Sequence, residues 1–185
     1  MAAGLIGLGE WRSLLRPQYP DAACFVDETW SAEERNLALE HLKQGRALHY
    51  WMGMETCLLG CNQHLPITGC TDGTYYWPES LLHYVAHHAV RLPDAWMLYV
   101  HRQPAFPTDA AAAIDEITQA NFCWWQAQQG WHPQASSLQY LSQQEIRDFL
   151  RRYDRQQIEY SNLPSPADIA ALERMVAEVR QLVTP

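Results

Sequence analysis

The stretch that decides the fold reads T-D-G-T-Y-Y-W-P-E-S from Thr71 to Ser80. Asp72-Gly73 is typical of a two-residue hairpin turn, and the aromatic run up to Trp77 predicts a short strand after it. Pro78 suits the first turn of a helix, where its missing N–H costs nothing. The negative charge of Glu79 would interact favourably with the helix dipole at this end. We therefore predict a strand that leads directly into a helix over residues 78–88.

Two further elements precede this hairpin. Ser31 and Glu34 form a capping box, which together with the leucine pattern predicts a helix over about residues 32–44. The aromatic-rich run from Ala47 to Met52 predicts a strand. We expect a small antiparallel hairpin or sheet within residues 46–77.

The rest of the sequence favours helices. Proline breaks, a second capping box at Ser142 and an apolar stripe after Ser165 mark their ends and buried faces. The predicted helices cover about residues 94–102, 108–130, 143–157 and 166–183. The prediction is an α+β fold, a mainly helical single domain over 1–185, with an irregular segment 1–29 and a helical C-terminal region 108–185.

Charge and composition exclude several classes of partner. The chain of 185 residues has 13 basic and 21 acidic side chains and a formal net charge of −8. An acidic chain is a poor match for nucleic acid and for anionic lipid, whereas a basic protein suits it. No apolar run is long enough for a membrane span and the N-terminus lacks a signal-peptide pattern, so we expect a cytoplasmic protein.

Cysteine and histidine concentrate in a window from 47 to 90 that contains neither lysine nor arginine. The pair Cys57-x3-Cys61 is followed by His83-x3-His87 or His83-x4-His88, spacings found in zinc sites with two cysteines and two histidines. Four protein ligands would leave no position for a catalytic water, so zinc here would be structural. The alternative is that these residues pack and bond locally without a metal.

The same window resembles a signature of a group of small bacterial proteins of uncharacterised activity. That signature reads T-D-G-x-[YW]-x-W-P-E-G-L-x-H-Y-V-x-x-H-x-V-R-L-P after a C-x3-C pair, and the similarity covers about residues 25–102. This sequence departs from it at Ser80 and Ala89, where glycine is usual. The resemblance implies a shared fold, and it implies that a common metal site would use His88 rather than His87.

Local structure offers an explanation of the signature that needs no metal. Asp72 would stabilise its own turn, Trp77 would pack in the core, and His83 and His88 would bond to the backbone. Glu79 would cap the helix or pair with Arg91.

No nucleophile elbow, phosphate-binding loop, dinucleotide fingerprint or H-E-x-x-H motif is present in the sequence. The leading hypothesis is a non-catalytic bacterial protein that binds a protein partner, such as an immunity or antitoxin-type inhibitor of a basic toxin domain. Its candidate binding residues are Asp72, Trp77, Glu79, His83, His88 and Arg91. The alternative is a zinc module or metal-dependent enzyme with Cys57, Cys61, His83 and His88 as ligands.

Overall fold

The computed structural model describes residues 4–49, 53–103, 120–158 and 165–183. The fold is α+β, as predicted, but helices account for only 45% of the described residues, so it is mixed rather than mainly helical. Its strands are β1 (Leu5–Gly7), β2 (Arg46–His49), β3 (Met54–Thr56), β4 (His64–Pro66), β5 (Gly69–Thr71), β6 (Tyr75–Pro78) and β7 (Ala120–Asn121). Its α-helices are α1 (Ala32–Lys43), α2 (Leu81–His88), α3 (Asp94–Arg102), α4 (Cys123–Gln126), α5 (Gln143–Asp154) and α6 (Pro166–Leu182).

The predicted hairpin around Asp72-Gly73 is confirmed. Strands β5 and β6 pair antiparallel, with Cys70 opposite Trp77, and β2 pairs antiparallel with β5 on the other side. Gly73 has a φ of 92°, the left-handed conformation that this turn requires.

The prediction that residues 1–29 are irregular is wrong at β1. This strand lies inside a five-stranded sheet of order β2-β5-β6-β1-β7 and pairs in parallel with both neighbours. The sheet is therefore mixed and extends beyond residues 46–77. Three residues are too few to show a period of two, so the pairing with β6 defines this strand rather than any local pattern.

Two of the predicted helices also differ from those in the structure. Helix α2 begins at Leu81 rather than at Pro78, because Pro78 is the last residue of β6 and the Glu79 N–H donates to the Thr68 carbonyl at 2.7 Å. Of the long helix predicted over 108–130, residues 108–119 lie outside the described residues. The remainder contains β7 and the four-residue α4 rather than a continuous helix.

Buried apolar side chains form two clusters. The larger one joins the sheet to the helices α1, α2 and α3 and contains Trp77, Tyr84, Trp96 and Trp125. The smaller one lies between α5 and α6. No helix in the described ranges has the length and apolarity needed to cross a bilayer.

Candidate metal centre

Four side chains from two separate stretches of the sequence converge at one point. The ligand atoms of Cys57, Cys61, His83 and His88 all lie within 4.8 Å of one another. Cys57 Sγ is 3.3 Å from His88 Nε2, Cys61 Sγ is 3.3 Å from His83 Nε2, and the two Nε2 atoms are 3.1 Å apart. Cys61 Sγ is also 3.4 Å from His88 Nε2. This is the predicted ligand set, with His88 as the second histidine.

The two cysteines lie in the loop 57–63, which joins the antiparallel strands β3 and β4. The Cys57 N–H donates to the Gln63 carbonyl at 2.9 Å and closes this loop at its base. Gly60 and Asn62 have φ values of 78° and 57°, so the chain turns sharply on either side of Cys61. The Leu59 N–H points at Cys57 Sγ at 3.4 Å, a contact that favours a thiolate there.

The two histidines lie on α2, whose last residue is His88. Positions five apart are about 140° apart around a regular helix, so both imidazoles must turn toward the loop. The helix ends immediately afterwards at Ala89, which is left-handed with a φ of 49°. His87 is exposed, and its ring centroid lies 5.0 Å from that of His83, outside the four-atom cluster.

Tyr84 on α2 holds the loop 57–63 to this helix. Its ring is fully buried, and its hydroxyl accepts a hydrogen bond from the Leu58 N–H at 3.1 Å. Because Leu58 follows Cys57 directly, this bond fixes the position of the first cysteine relative to α2. Sequence reasoning missed this bond, since a hydroxyl contact across 26 residues leaves no local signal.

Electrostatics at the cluster keep the imidazoles neutral. Burial, with His88 and His87 nearby, lowers the pKa of His83 to about 4, and burial with His87 lowers that of His88. Neutral imidazole is the form that donates a lone pair to a metal ion. Burial also raises the pKa of the Cys57 thiol to about 11, and a bound cation would act in the opposite direction by stabilising the thiolate.

The predicted binding residues Asp72 and Trp77 are fully buried. Asp72 Oδ1 accepts hydrogen bonds from the N–H groups of Thr74 and Tyr75, so the predicted stabilisation of its own turn is confirmed. Asp72 Oδ2 lies 2.8 Å from His41 Nε2. No local pattern predicts the role of His41, which reaches this site from the last turn of α1.

The predicted pairing of Glu79 with Arg91 is wrong. The Arg91 guanidinium donates instead to Asp27 at 3.1 Å and Asp94 at 2.9 Å, and it lies 3.9 Å from the ring centroid of Trp131. Glu79 precedes Ser80, the N-cap of α2, which makes no side-chain capping bond. The prediction that a glutamate side chain caps this helix start is therefore not confirmed.

The alternative in which His83 and His88 bond to the backbone gains no support, because their Nε2 atoms lie against sulphur and against each other. The cluster could hold one metal ion. No protein-family model, no curated protein and no solved structure matches this chain. The resemblance to the small bacterial proteins thus stays a prediction.

Proposed function

We propose that this chain is a zinc-binding protein in which Cys57, Cys61, His83 and His88 hold one ion. The observation that carries the proposal is the approach of four ligand atoms from two separate elements to within 4.8 Å. Thiolate and imidazole together are the ligands that zinc prefers, and no carboxylate belongs to the set.

The distances between the ligand atoms support a tetrahedral ion. Zinc bonds of about 2.0–2.3 Å give a tetrahedron whose edges measure roughly 3.3–3.8 Å. Four of the six distances among the ligand atoms run from 3.1 to 3.4 Å and all six lie within 4.8 Å, so small movements of the side chains would accommodate the ion. Two thiolates would balance its charge.

A closed set of four protein ligands favours a structural role over a catalytic one, since no position is left for water or substrate. The ion would cross-link the loop 57–63 to α2. Cys57 and Leu59 are buried in the larger apolar cluster, but residues 60–63 at the far end of the loop are exposed and have no such burial. Metal coordination would supply the stabilisation that apolar burial does not supply there.

Metal analysis of the full chain tests this proposal. Protein purified without a histidine tag should contain one zinc ion per chain, as measured by elemental mass spectrometry. A double variant, Cys57→Ala with Cys61→Ala, should contain less than about a tenth of that amount, because loss of the thiolates removes the ligands that bind zinc most strongly.

The matched control is His87→Ala, which removes an imidazole from the same helix turn but outside the cluster. It should retain the full zinc content, whereas His88→Ala should not. Equal zinc content in the double variant and the unmodified protein would overturn the proposal.

Binding to a basic protein partner is a second proposal, supported by the net charge of −8 and by one groove. This groove, of about 570 Å³, contains the acidic side chains Glu34 and Asp94 beside Leu98, which is half exposed, and includes Arg91. Two carboxylates beside an apolar side chain suit a basic partner, which would compete with Arg91 for Asp94 and with His101 for Glu34. Affinity purification with the product of the adjacent gene co-expressed tests it, and repeated recovery of the chain alone would count against it.

A further inference from the structure

We propose that Cys57 and Cys61 are a peroxide-sensitive thiol pair whose oxidation to a disulfide expels the metal. This inference rests on the proposed zinc site and adds a covalent modification to it. The loop 57–63 presents one sulphur to solvent and keeps a second sulphur beside it, and that arrangement carries the argument.

The two cysteines differ sharply in exposure. Cys61 is an exposed residue at the tip of the loop, whereas Cys57 is only 5% exposed at its base. A hydroperoxide can therefore reach Cys61 directly, whereas the Cys57 sulphur belongs to a buried residue and accepts a hydrogen bond from the Leu59 N–H. Exposure and thiolate character together decide which cysteine is oxidised first, and metal coordination supplies the thiolate.

The second sulphur is close enough to complete the reaction. The Sγ atoms of Cys57 and Cys61 lie within 4.8 Å, and a disulfide brings them to about 2.05 Å. Only the loop would have to move, because Cys57 and Cys61 are four residues apart and Gly60 between them has the freedom of a glycine. Cys24 and Cys70 are buried elsewhere in the core.

The oxidation proceeds in two balanced steps. The Cys61 thiolate attacks one oxygen of hydrogen peroxide, the O–O bond breaks, and the sulfenic acid of Cys61 and one hydroxide form. The Cys57 thiolate then attacks the Cys61 sulphur, the S–O bond breaks, and a second hydroxide leaves. Two protons convert both hydroxides to water, and the two sulphurs have each given up one electron to the peroxide.

The disulfide removes both anionic ligands from the ion. Two neutral imidazoles on α2 remain, and they bind zinc far more weakly than the set of four. Reduction by a dithiol regenerates both thiols, so that zinc can bind again. The loop would then act as a reversible sensor of peroxide.

The experiment treats the zinc-loaded full chain with a small excess of hydrogen peroxide. Zinc release is followed with a chromogenic chelator, and the cysteine products are identified by peptide mass spectrometry. We expect one zinc released per chain together with one Cys57–Cys61 disulfide, and recovery of zinc binding after dithiothreitol and fresh zinc. Cys123→Ser, which removes the other exposed thiol, should release zinc at the unmodified rate.

A second variant keeps the test independent of metal affinity. In metal-free protein, the Cys57–Cys61 disulfide should form on peroxide treatment, and Cys61→Ser should slow the oxidation of Cys57 by about tenfold, because the exposed sulphur is gone. The inference would be wrong if the protein kept its zinc while Cys123 was oxidised. It would also be wrong if zinc was released while Cys57 and Cys61 were each oxidised without forming a disulfide. Absence of zinc before any peroxide is added would instead overturn the proposed function, and the metal-free measurement would still decide the thiol pair.

Discussion

The loop 57–63 and the helix pair α5–α6 are both held to their neighbours, but by different means. Helices α5 and α6 meet through buried apolar side chains, among them Ile146, Phe149 and Met175. Each helix also begins with a complete capping box. In the loop, Cys57 and Leu59 are buried in the larger apolar cluster, but residues 60–63 are exposed, and the ligand atoms and the bond from the Leu58 N–H to Tyr84 add the contacts to α2. The comparison indicates that the helix pair has its own caps and apolar stripe, whereas the exposed part of the loop would need the proposed metal ion to fix its position.

Removing zinc gives the largest expected effect and bears directly on this difference. With free zinc at a thousandfold excess over its dissociation constant, binding adds about 4 kcal/mol to the free energy of unfolding. Chelation should therefore lower the thermal midpoint, and hydrogen exchange should speed up at Leu58 and Leu59 while α5 and α6 change little. The same midpoint with and without bound zinc would contradict the dependence of the loop on a ligand.

Met175→Ala tests the opposite region. Met175 is fully buried between α5 and α6, and truncating such a side chain costs about 3 kcal/mol through lost burial and the cavity left behind. Denaturant unfolding should show this loss, while zinc content stays at one per chain. Ile169→Ala, on the exposed face of the same helix, is the control and should change little. Loss of zinc in Met175→Ala would mean that the two regions are coupled.

Tyr84→Phe sharpens the comparison within the metal region. It leaves the Leu58 N–H without its acceptor, which costs about 1.5 kcal/mol. It also loosens Cys57, so we expect zinc affinity to fall by about tenfold in a competition titration with a chromophoric chelator. Tyr153→Phe on α5 is the matched hydroxyl deletion and should leave zinc affinity unchanged. An unaltered affinity in Tyr84→Phe would show that the four ligands position the loop without help.

The smallest expected effect concerns Asp27, which pairs with Arg91 just after α2 and so helps to hold the end of this helix without a metal. A hydrogen bond from the Thr29 hydroxyl, with Arg91 as a further partner, holds the pKa of Asp27 below its usual value. A carboxylate with a lowered pKa stabilises the fold above its unfolded pKa of about 3.9, and this contribution is lost as the pH falls through the folded value.

Urea unfolding at pH 6 and pH 3 measures this contribution in the zinc-free double cysteine variant, where metal release cannot interfere. Adding Asp27→Asn should make the decrease in the free energy of unfolding between the two pH values smaller. Asp154→Asn, at an exposed ion pair with Arg180, should not change that decrease. If the free energy of unfolding decreases equally between the two pH values with and without Asp27→Asn, the Asp27 carboxylate does not help to hold α2.

Much of the fold was predictable from local signals, and the reasons are visible in particular residues. Ser142 and Ser165 mark helix starts because their side chains bond within the first turn, and Asp72-Gly73 marks a hairpin for the same local reason. The start of α2 was misplaced because Pro78 is acceptable both at the end of a strand and in the first turn of a helix. Sheet pairing decided between these two positions.

The metal ligands were predictable as a set because cysteine and histidine pairs have recognisable spacings, and the choice of His88 over His87 came from the resemblance. Spacing alone favours His87, which shares a helix face with His83. The end of α2 at Ala89 and the position of the loop favour His88 instead. Cys57 Sγ, which contacts His88, is 31 residues away in sequence, and a helical pattern gives no information about so distant a partner.

The sequence by itself determined the caps at Ser31, Ser142 and Ser165, the hairpin turn, the acidic charge and the four candidate ligands, since each depends on residue type and on neighbours a few positions away. Only the tertiary structure decided that β1 enters the sheet, that His41 contacts Asp72, that Arg91 pairs with Asp27 and that the four ligand atoms meet. These contacts join residues between 22 and 69 positions apart, and the packing of the whole core sets their distances.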